Sequence, residues 1–231
     1  MNKPVLLNGI ILLVMALVSC GSNNEQPAGP ATDTTAAKRD TSVTPATTKT
    51  LVFFGNSLTA GYGVEPNQAF PAVVQRRIDS LDLPYKVVNA GVSGETSAGG
   101  NGRIDWVLQS LIPPDIFVLE LGANDGLRGI PMTETKKNLQ AIIDKVKAKN
   151  PNVKIVIAGM MMPPNMGQQY TTEFREIFPA LAKNNNAALI PFLLQGVGGE
   201  VKLNQQDGIH PTPEGHQIVA NNVWEVLKGM L

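Results

Sequence analysis

From residue 50 the chain switches repeatedly between two hydrophobic patterns. Continuous apolar runs at TLVFF (50–54), YKVVN (85–89), DIFVLEL (115–121), VKIVIAG (153–159) and AALIP (187–191) read as β-strands. Between and after them, apolar residues recur at the spacing of one helical face. AFPAVVQRRIDSL aligns Phe70, Val73, Val74, Ile78 and Leu81. RIDWVLQSLI aligns Ile104, Val107, Leu108 and Leu111, and NLQAIIDKVKAK aligns Leu139, Ile142, Ile143 and Val146. Phe174, Ile177, Phe178 and Leu181 mark a fourth helix, and Ile218, Val219, Val223, Val226 and Leu227 a last one.

Strands that alternate with helices predict an α/β protein with a parallel sheet covered on both faces. Right-handed crossovers make it a three-layer α/β/α, doubly wound domain with a five-stranded sheet. Residues 50–231 read as one domain, without internal repeats. About 180 residues are enough to bury a proper core.

The chain before residue 50 has neither pattern. A single lysine, Lys3, precedes an apolar stretch from Val5 to Val18, and Leu17-Val18-Ser19-Cys20 follows. That is the layout of a secretory signal peptide over residues 1–19. The apolar part is short for a membrane span, which needs about 20 residues. An uncleaved anchor helix is the alternative. The ending resembles a lipoprotein lipobox, which implies that Cys20 becomes the lipidated N-terminus. Cys20 is the only cysteine in the chain, so no disulfide can form within it. Residues 21–49 carry one large aliphatic side chain, Val43, and no aromatic. Such a segment buries too little to offset its ordering entropy. Residues 20–49 therefore read as the lipidated cysteine and a flexible tether, reaching about 30 Å as a random coil. The expected location is a bacterial cell-envelope membrane, held through the lipid and facing the periplasm or the exterior.

Charge narrows the partners. Nineteen Lys and Arg balance nineteen Asp and Glu, and no basic run occurs. Nucleic acid is not expected as a partner, because backbone binding needs clustered cations.

In doubly wound sheets ligands bind at the carboxyl ends of the strands. Four short polar blocks fall there: Gly55-Asn56-Ser57-Leu58, Asn89 to Thr96, Gly122-Ala123-Asn124-Asp125-Gly126 and Asp207-Gly208-Ile209-His210-Pro211. Each has a bland reading taken alone. Glycine after a strand is turn chemistry, Ser57 could be a helix N-cap, and Asn-Asp-Gly could be a simple turn. Together they suggest more. The chain has two histidines, His210 and His216. His216 falls within the last helix and reads as a surface residue. His210 follows Asp207 by three residues, so one short turn can bring the carboxylate to Nδ1 and leave Nε2 free as a base. A serine hydroxyl needs such a base to become a nucleophile. A strand-to-helix turn also exposes Ser57 and surrounds it with N–H groups able to hold an oxyanion.

On these four blocks the domain resembles the SGNH, or GDSL, hydrolase family, in family order over nearly all of residues 50–231. The resemblance implies a flavodoxin-like SGNH hydrolase fold with Ser57, Asp207 and His210 as catalytic triad. It implies Ser57, Gly94 and Asn124 as oxyanion donors, and no cofactor or metal. The segments ELGANDGLRG and QDGIHP are similar to the bacterial thioesterase/lysophospholipase and arylesterase branch. There the segment Asp125 to Ile130, including Gly126 and Leu127, borders the acyl pocket, and GMMMPPNMG would add Met161 and Met162. Equally, alternate methionines could simply be core. The family usually has aspartate where this chain has Asn56, which keeps the size, gains a donor and loses a charge.

The expected activity is hydrolysis of acyl or aryl esters or thioesters through an acyl-enzyme on Ser57. The alternatives are a carbohydrate acetyl esterase, or a non-catalytic surface lipoprotein that binds lipid or glycan in the same cleft. A nucleotide-binding loop such as G-x-G-x-x-G is missing after the first strand, and Thr59 stands where the G-x-S-x-G elbow needs glycine.

Overall fold

The computed structural model describes residues 48–110 and 113–231. The signal segment at 1–19, Cys20, the tether up to residue 47, and Leu111 lie outside the described residues.

Five strands form among the described residues: β1 Lys49–Gly55, β2 Tyr85–Gly91, β3 Ile116–Glu120, β4 Lys154–Ala158 and β5 Ala188–Ile190. All pair in parallel, in the order β2-β1-β3-β4-β5. The central strands β1, β3 and β4 are buried almost end to end, as continuous apolar runs covered on both faces must be. The edge strands β2 and β5 are half-buried.

The helices are α1 Ser57–Ala60, α2 Phe70–Ser80, α3 Ser97–Ser110, α4 Ala123–Leu127, α5 Met132–Lys149, α6 Gln168–Arg175, α7 Ile177–Asn185 and α8 Pro213–Leu227. Crossover handedness sorts them. The step from β1 to β2 runs one way along the sheet, and the steps β2 to β3, β3 to β4 and β4 to β5 run the other way. Right-handed connections then put α2 on one face and α3, α5 and α7 on the opposite face. The packing agrees: α2 meets α8, while α5 meets both α3 and α7. The direction of winding reverses between β1 and β3, and that is where a doubly wound sheet opens a crevice.

Aromatic contacts brace the sheet. Phe53 of β1 meets Phe70 of α2 edge-on at 5.3 Å, and within the sheet Phe54 of β1 lies 5.6 Å from Phe117 of β3. At the end of β1 only glycine fits. A Cβ on Gly55 would overlap Thr59 Oγ1 and the carboxylate of Glu120.

Three details differ from the sequence pattern. α3 begins at Ser97, ahead of the apolar residues that announced it, because Gly99, Gly100 and Gly102 leave no hydrophobic signature. Gly100 is nonetheless buried, with Leu121 and Phe54 packed where its side chain would be. The single helix expected across Phe174 to Leu181 is two, α6 and α7, joined at Glu176, with all four apolar side chains still buried. Leu81 caps the end of α2 and is exposed.

Candidate active site

The crevice is built on a braced turn. Asn56 caps α1, its Oδ1 accepting the Leu58 N–H at 2.9 Å. Beneath it lies Glu120, the last residue of β3, paired in register with Gly55. Its carboxylate accepts the Asn56 N–H at 3.0 Å, Asn56 Nδ2 at 2.8 Å and Thr59 Oγ1 at 2.8 Å. A buried carboxylate must find donors or a proton. Here burial pushes Glu120 up to about 7, against the hydrogen bonds that favour its charged form. Ser57, the first residue of α1, is thus held on a rigid base at the crevice mouth.

The turn at 204–212 approaches from the other side. Asn204 pairs with Pro211 in an antiparallel bridge, and the Gln205 N–H donates to the His210 carbonyl at 2.7 Å. Gly208, at φ 70°, reverses the chain within this turn. Asp207 Oδ1 accepts the N–H groups of Ile209 and His210 at 2.9 and 3.0 Å. Asp207 Oδ2 lies 2.6 Å from His210 Nδ1, and His210 Nε2 lies 2.9 Å from Ser57 Oγ. The backbone and ring hydrogen bonds from His210 hold the Asp207 carboxyl down at about 2. An ionised Asp207 keeps the proton on Nδ1 and leaves Nε2 as an acceptor towards Ser57. The Tyr62 ring packs 4.6 Å from the imidazole and limits its rotation.

Asn124, in the first turn of α4, faces the same space. Its Nδ2 donates to the Glu95 carbonyl at 2.9 Å, which fixes the amide with nitrogen, not oxygen, on that side. Gly94 lies in the exposed turn after β2 at φ 78°, its carbonyl accepting Arg128 Nη2 at 3.0 Å. The N–H groups of Ser57 and Gly94 have no acceptor among the described residues. Serine, imidazole and amide therefore line one cleft, and Gly94 is not among the lining residues.

They open into a cavity of about 490 Å³. Its polar end is Ser57, Asn124 and His210, and its walls are Leu127, Met160, Met161, Met162, Phe192 and Leu194. Leu127, Met161 and Met162 are among the lining residues, and Met162 is also part of the buried core. Asp125, Gly126 and Ile130 do not line the cavity. Asp125 is fully buried and turned to the opposite side of α4, accepting from Ser97 N at 2.8 Å, Ser97 Oγ at 2.5 Å and Thr135 Oγ1 at 3.3 Å. Gly126 is packed beneath Met162 and Phe174, and its carbonyl accepts Tyr170 Oη at 2.7 Å. Ile130 lies beyond the end of α4. Phe192 and Leu194 escaped the sequence reading because the loop after β5 carries no polar motif, although its position at a strand end was the available signal.

His216 is not a surface residue. It is 1% exposed on α8, with Nδ1 accepting the Phe70 N–H at 3.3 Å and Nε2 unpartnered among the described residues. Burial drives its imidazole down to about 4, with the neighbouring His210 adding to the effect.

Residues 53–218 match the GDSL-like lipase/acylhydrolase family. The chain is 38% identical over 186 residues to esterase TesA of Pseudomonas aeruginosa, covering 80% of this chain and 91% of that esterase. It is 36% identical over 176 residues to thioesterase 1/protease 1/lysophospholipase L1 of Escherichia coli, covering 76% of this chain and 82% of that enzyme. A crystal structure of TesA superposes with a TM-score of 0.76, at 38% identity, over 79% of this chain and 100% of that one.

Proposed function

The chain belongs to the GDSL-like lipase/acylhydrolase family and is a serine hydrolase of esters or thioesters, and we propose that Ser57 is its nucleophile, His210 its general base and Asp207 the group that orients His210. The observation that carries this reading is the continuous line from Ser57 Oγ to His210 Nε2 at 2.9 Å and from His210 Nδ1 to Asp207 Oδ2 at 2.6 Å.

In this mechanism His210 Nε2 takes the Ser57 proton as Oγ attacks the acyl carbonyl. The carbonyl electron pair moves onto oxygen, where the N–H groups of Ser57 and Gly94 and the Asn124 amide hold it. Asp207 stabilises the imidazolium without taking its proton. Collapse of the tetrahedral species breaks the bond to the alcohol or thiol, which leaves with the proton from His210. Water then attacks the acyl-enzyme through the same base and releases the acid.

The apolar walls support an acyl chain rather than acetyl as the group lodged in the cavity. That favours lysophospholipid-like esters and acyl thioesters over acetylated sugars. The alternative of a non-catalytic lipid-binding protein requires no base aligned on Ser57, and the aligned His210 speaks against it.

The N-terminal sequence supports export and anchoring through a lipid on Cys20, with residues 21–49 as tether. Among the described residues no helix is long and apolar enough to cross a membrane.

The direct test is labelling with an alkyl p-nitrophenyl phosphonate followed by peptide mass analysis. The expected result is one adduct, on Ser57, and none after Ser57→Ala. An adduct on another residue would reassign the nucleophile.

A further inference from the structure

Arg103 sits on α3, outside all four sequence blocks, yet its guanidinium reaches three of the segments that shape the cleft. Nε and Nη2 form a two-pronged pair with Glu95 Oε1 and Oε2, at 2.5 and 2.6 Å. Nη2 also donates to the Ala90 carbonyl at 2.7 Å, and at 3.5 Å to the Gly55 carbonyl. The guanidinium carbon lies 4.0 Å from the centre of the Phe54 ring. One side chain thereby ties the end of β1, the end of β2 and the turn that carries Gly94.

The link continues to Asn124. The Glu95 carbonyl accepts one Nδ2 hydrogen of Asn124 at 2.9 Å, which leaves the other hydrogen for the cleft. Gly94 is the residue next to Glu95, in an exposed turn with positive φ. Among the described residues its one hydrogen bond is the Arg128 contact to its carbonyl. The position of the Gly94 N–H and the orientation of Asn124 therefore both depend on where Glu95 is held.

We propose that Arg103 is a positioning residue for the oxyanion site, acting through Glu95 on Gly94 and Asn124. This rests on the assignment of Ser57 as nucleophile and extends it to a residue that touches no substrate. The pair differs from an ordinary surface ion pair, which contributes little. The Glu95 side chain is 6% exposed and the Arg103 side chain 21%, and the fork geometry is one that lysine cannot copy.

The test uses Arg103→Met, Arg103→Lys and Glu95→Gln, each alone and combined with Asn124→Ala. Turnover of p-nitrophenyl butyrate gives kcat and KM, phosphonate titration counts working sites, and thermal melting reports the fold. A shift of an oxyanion donor by an ångström costs on the order of 100-fold, so Arg103→Met should lower kcat per titrated site by about 10- to 100-fold with KM nearly unchanged. Arg103→Lys should recover part of the loss. In the Asn124→Ala background the Arg103→Met loss should shrink, because one of the donors it positions has already gone. Unchanged kcat, or losses that simply multiply, would overturn the proposal. Where Arg103→Met does not fold, Arg103→Lys and Glu95→Gln decide by the same criteria. Turnover that survives Ser57→Ala would overturn both this proposal and the assignment beneath it, whereas an active enzyme indifferent to Arg103 would overturn this one alone.

Discussion

The side-chain amide of Asn56 bonds on both faces: Nδ2 donates to Glu120 Oε1 at 2.8 Å, and Oδ1 accepts the Leu58 N–H at 2.9 Å. Asparagine suits this place because one face needs a donor and the other an acceptor. An aspartate would set oxygen against the Glu120 oxygen. Two carboxylates that close cannot both ionise, so the pair must keep a proton. Asn56→Asp should therefore fold and melt near wild type in acid, then fall below it in alkaline solution, where the pair gives up a shared proton that it holds more tightly than Glu120 alone does beside Asn56. Melting curves that stay parallel from acid to alkaline pH would contradict the relationship.

Two buried groups pull stability in opposite directions with pH. Glu120 binds its proton more tightly folded than unfolded, titrating near 7 instead of 4.5. Its contribution is full below 4.5 and is lost as pH rises through 7. His216 is depressed from 6.5 to about 4, so its contribution is full above 6.5 and is lost as pH falls through 4. Between 4.5 and 6.5 the two slopes offset each other. Glu120→Gln should be less stable overall, since its amide sets an N–H against Asn56 Nδ2 or the Asn56 N–H, but its deficit should narrow from pH 4.5 to 7. His216→Asn should gain on wild type as pH falls from 6.5 to 4. Melting temperatures across this range check both, and slopes unchanged from wild type would remove the assignments.

The Asn124 amide is fixed with its nitrogen towards the Glu95 carbonyl, and the second Nδ2 hydrogen has no acceptor among the described residues. Removing one oxyanion donor typically costs on the order of 100- to 1,000-fold, so Asn124→Ala should lose that much kcat with its melting temperature preserved. An unchanged rate would remove Asn124 from the role.

The sheet was readable because strands buried on both faces leave continuous apolar runs, and β1, β3 and β4 are of that kind. The site blocks were readable because the fold collects strand ends in one crevice and because histidine is scarce. What escaped has physical reasons. The glycines of α3 carry no hydrophobic period, so its first turns, just ahead of Arg103, were invisible. Glu120 is an acid within an apolar strand, but nothing local says that its partners are Asn56 and Thr59, over 60 residues away. The family resemblance puts Asp125 in the segment that borders the acyl pocket. On a helix the residue after Asn124 points about 100° away, and here it points into the core. His216 was misjudged because a polar residue on an amphipathic helix usually faces water, whereas this one fills the space against Phe70.

Anchoring can be tested apart from catalysis. Cys20→Ala should abolish incorporation of labelled fatty acid and release the protein from the membrane fraction. A chain beginning at Thr48 should turn over soluble esters at the full rate, because every residue assigned to the site lies between Asn56 and His210. A large loss on truncation would show that the tether takes part in catalysis.

Everything in the mechanism turns on Ser57, aligned with His210 at 2.9 Å, as the group that attacks the acyl carbon. The decisive measurement is hydrolysis of p-nitrophenyl esters, from acetate to palmitate, by wild type and Ser57→Ala. Wild type should turn over these esters at a rate that rises beyond the acetate as the acyl chain fills the apolar cavity, and the variant should stay at background. Turnover by Ser57→Ala close to wild type would contradict the assignment.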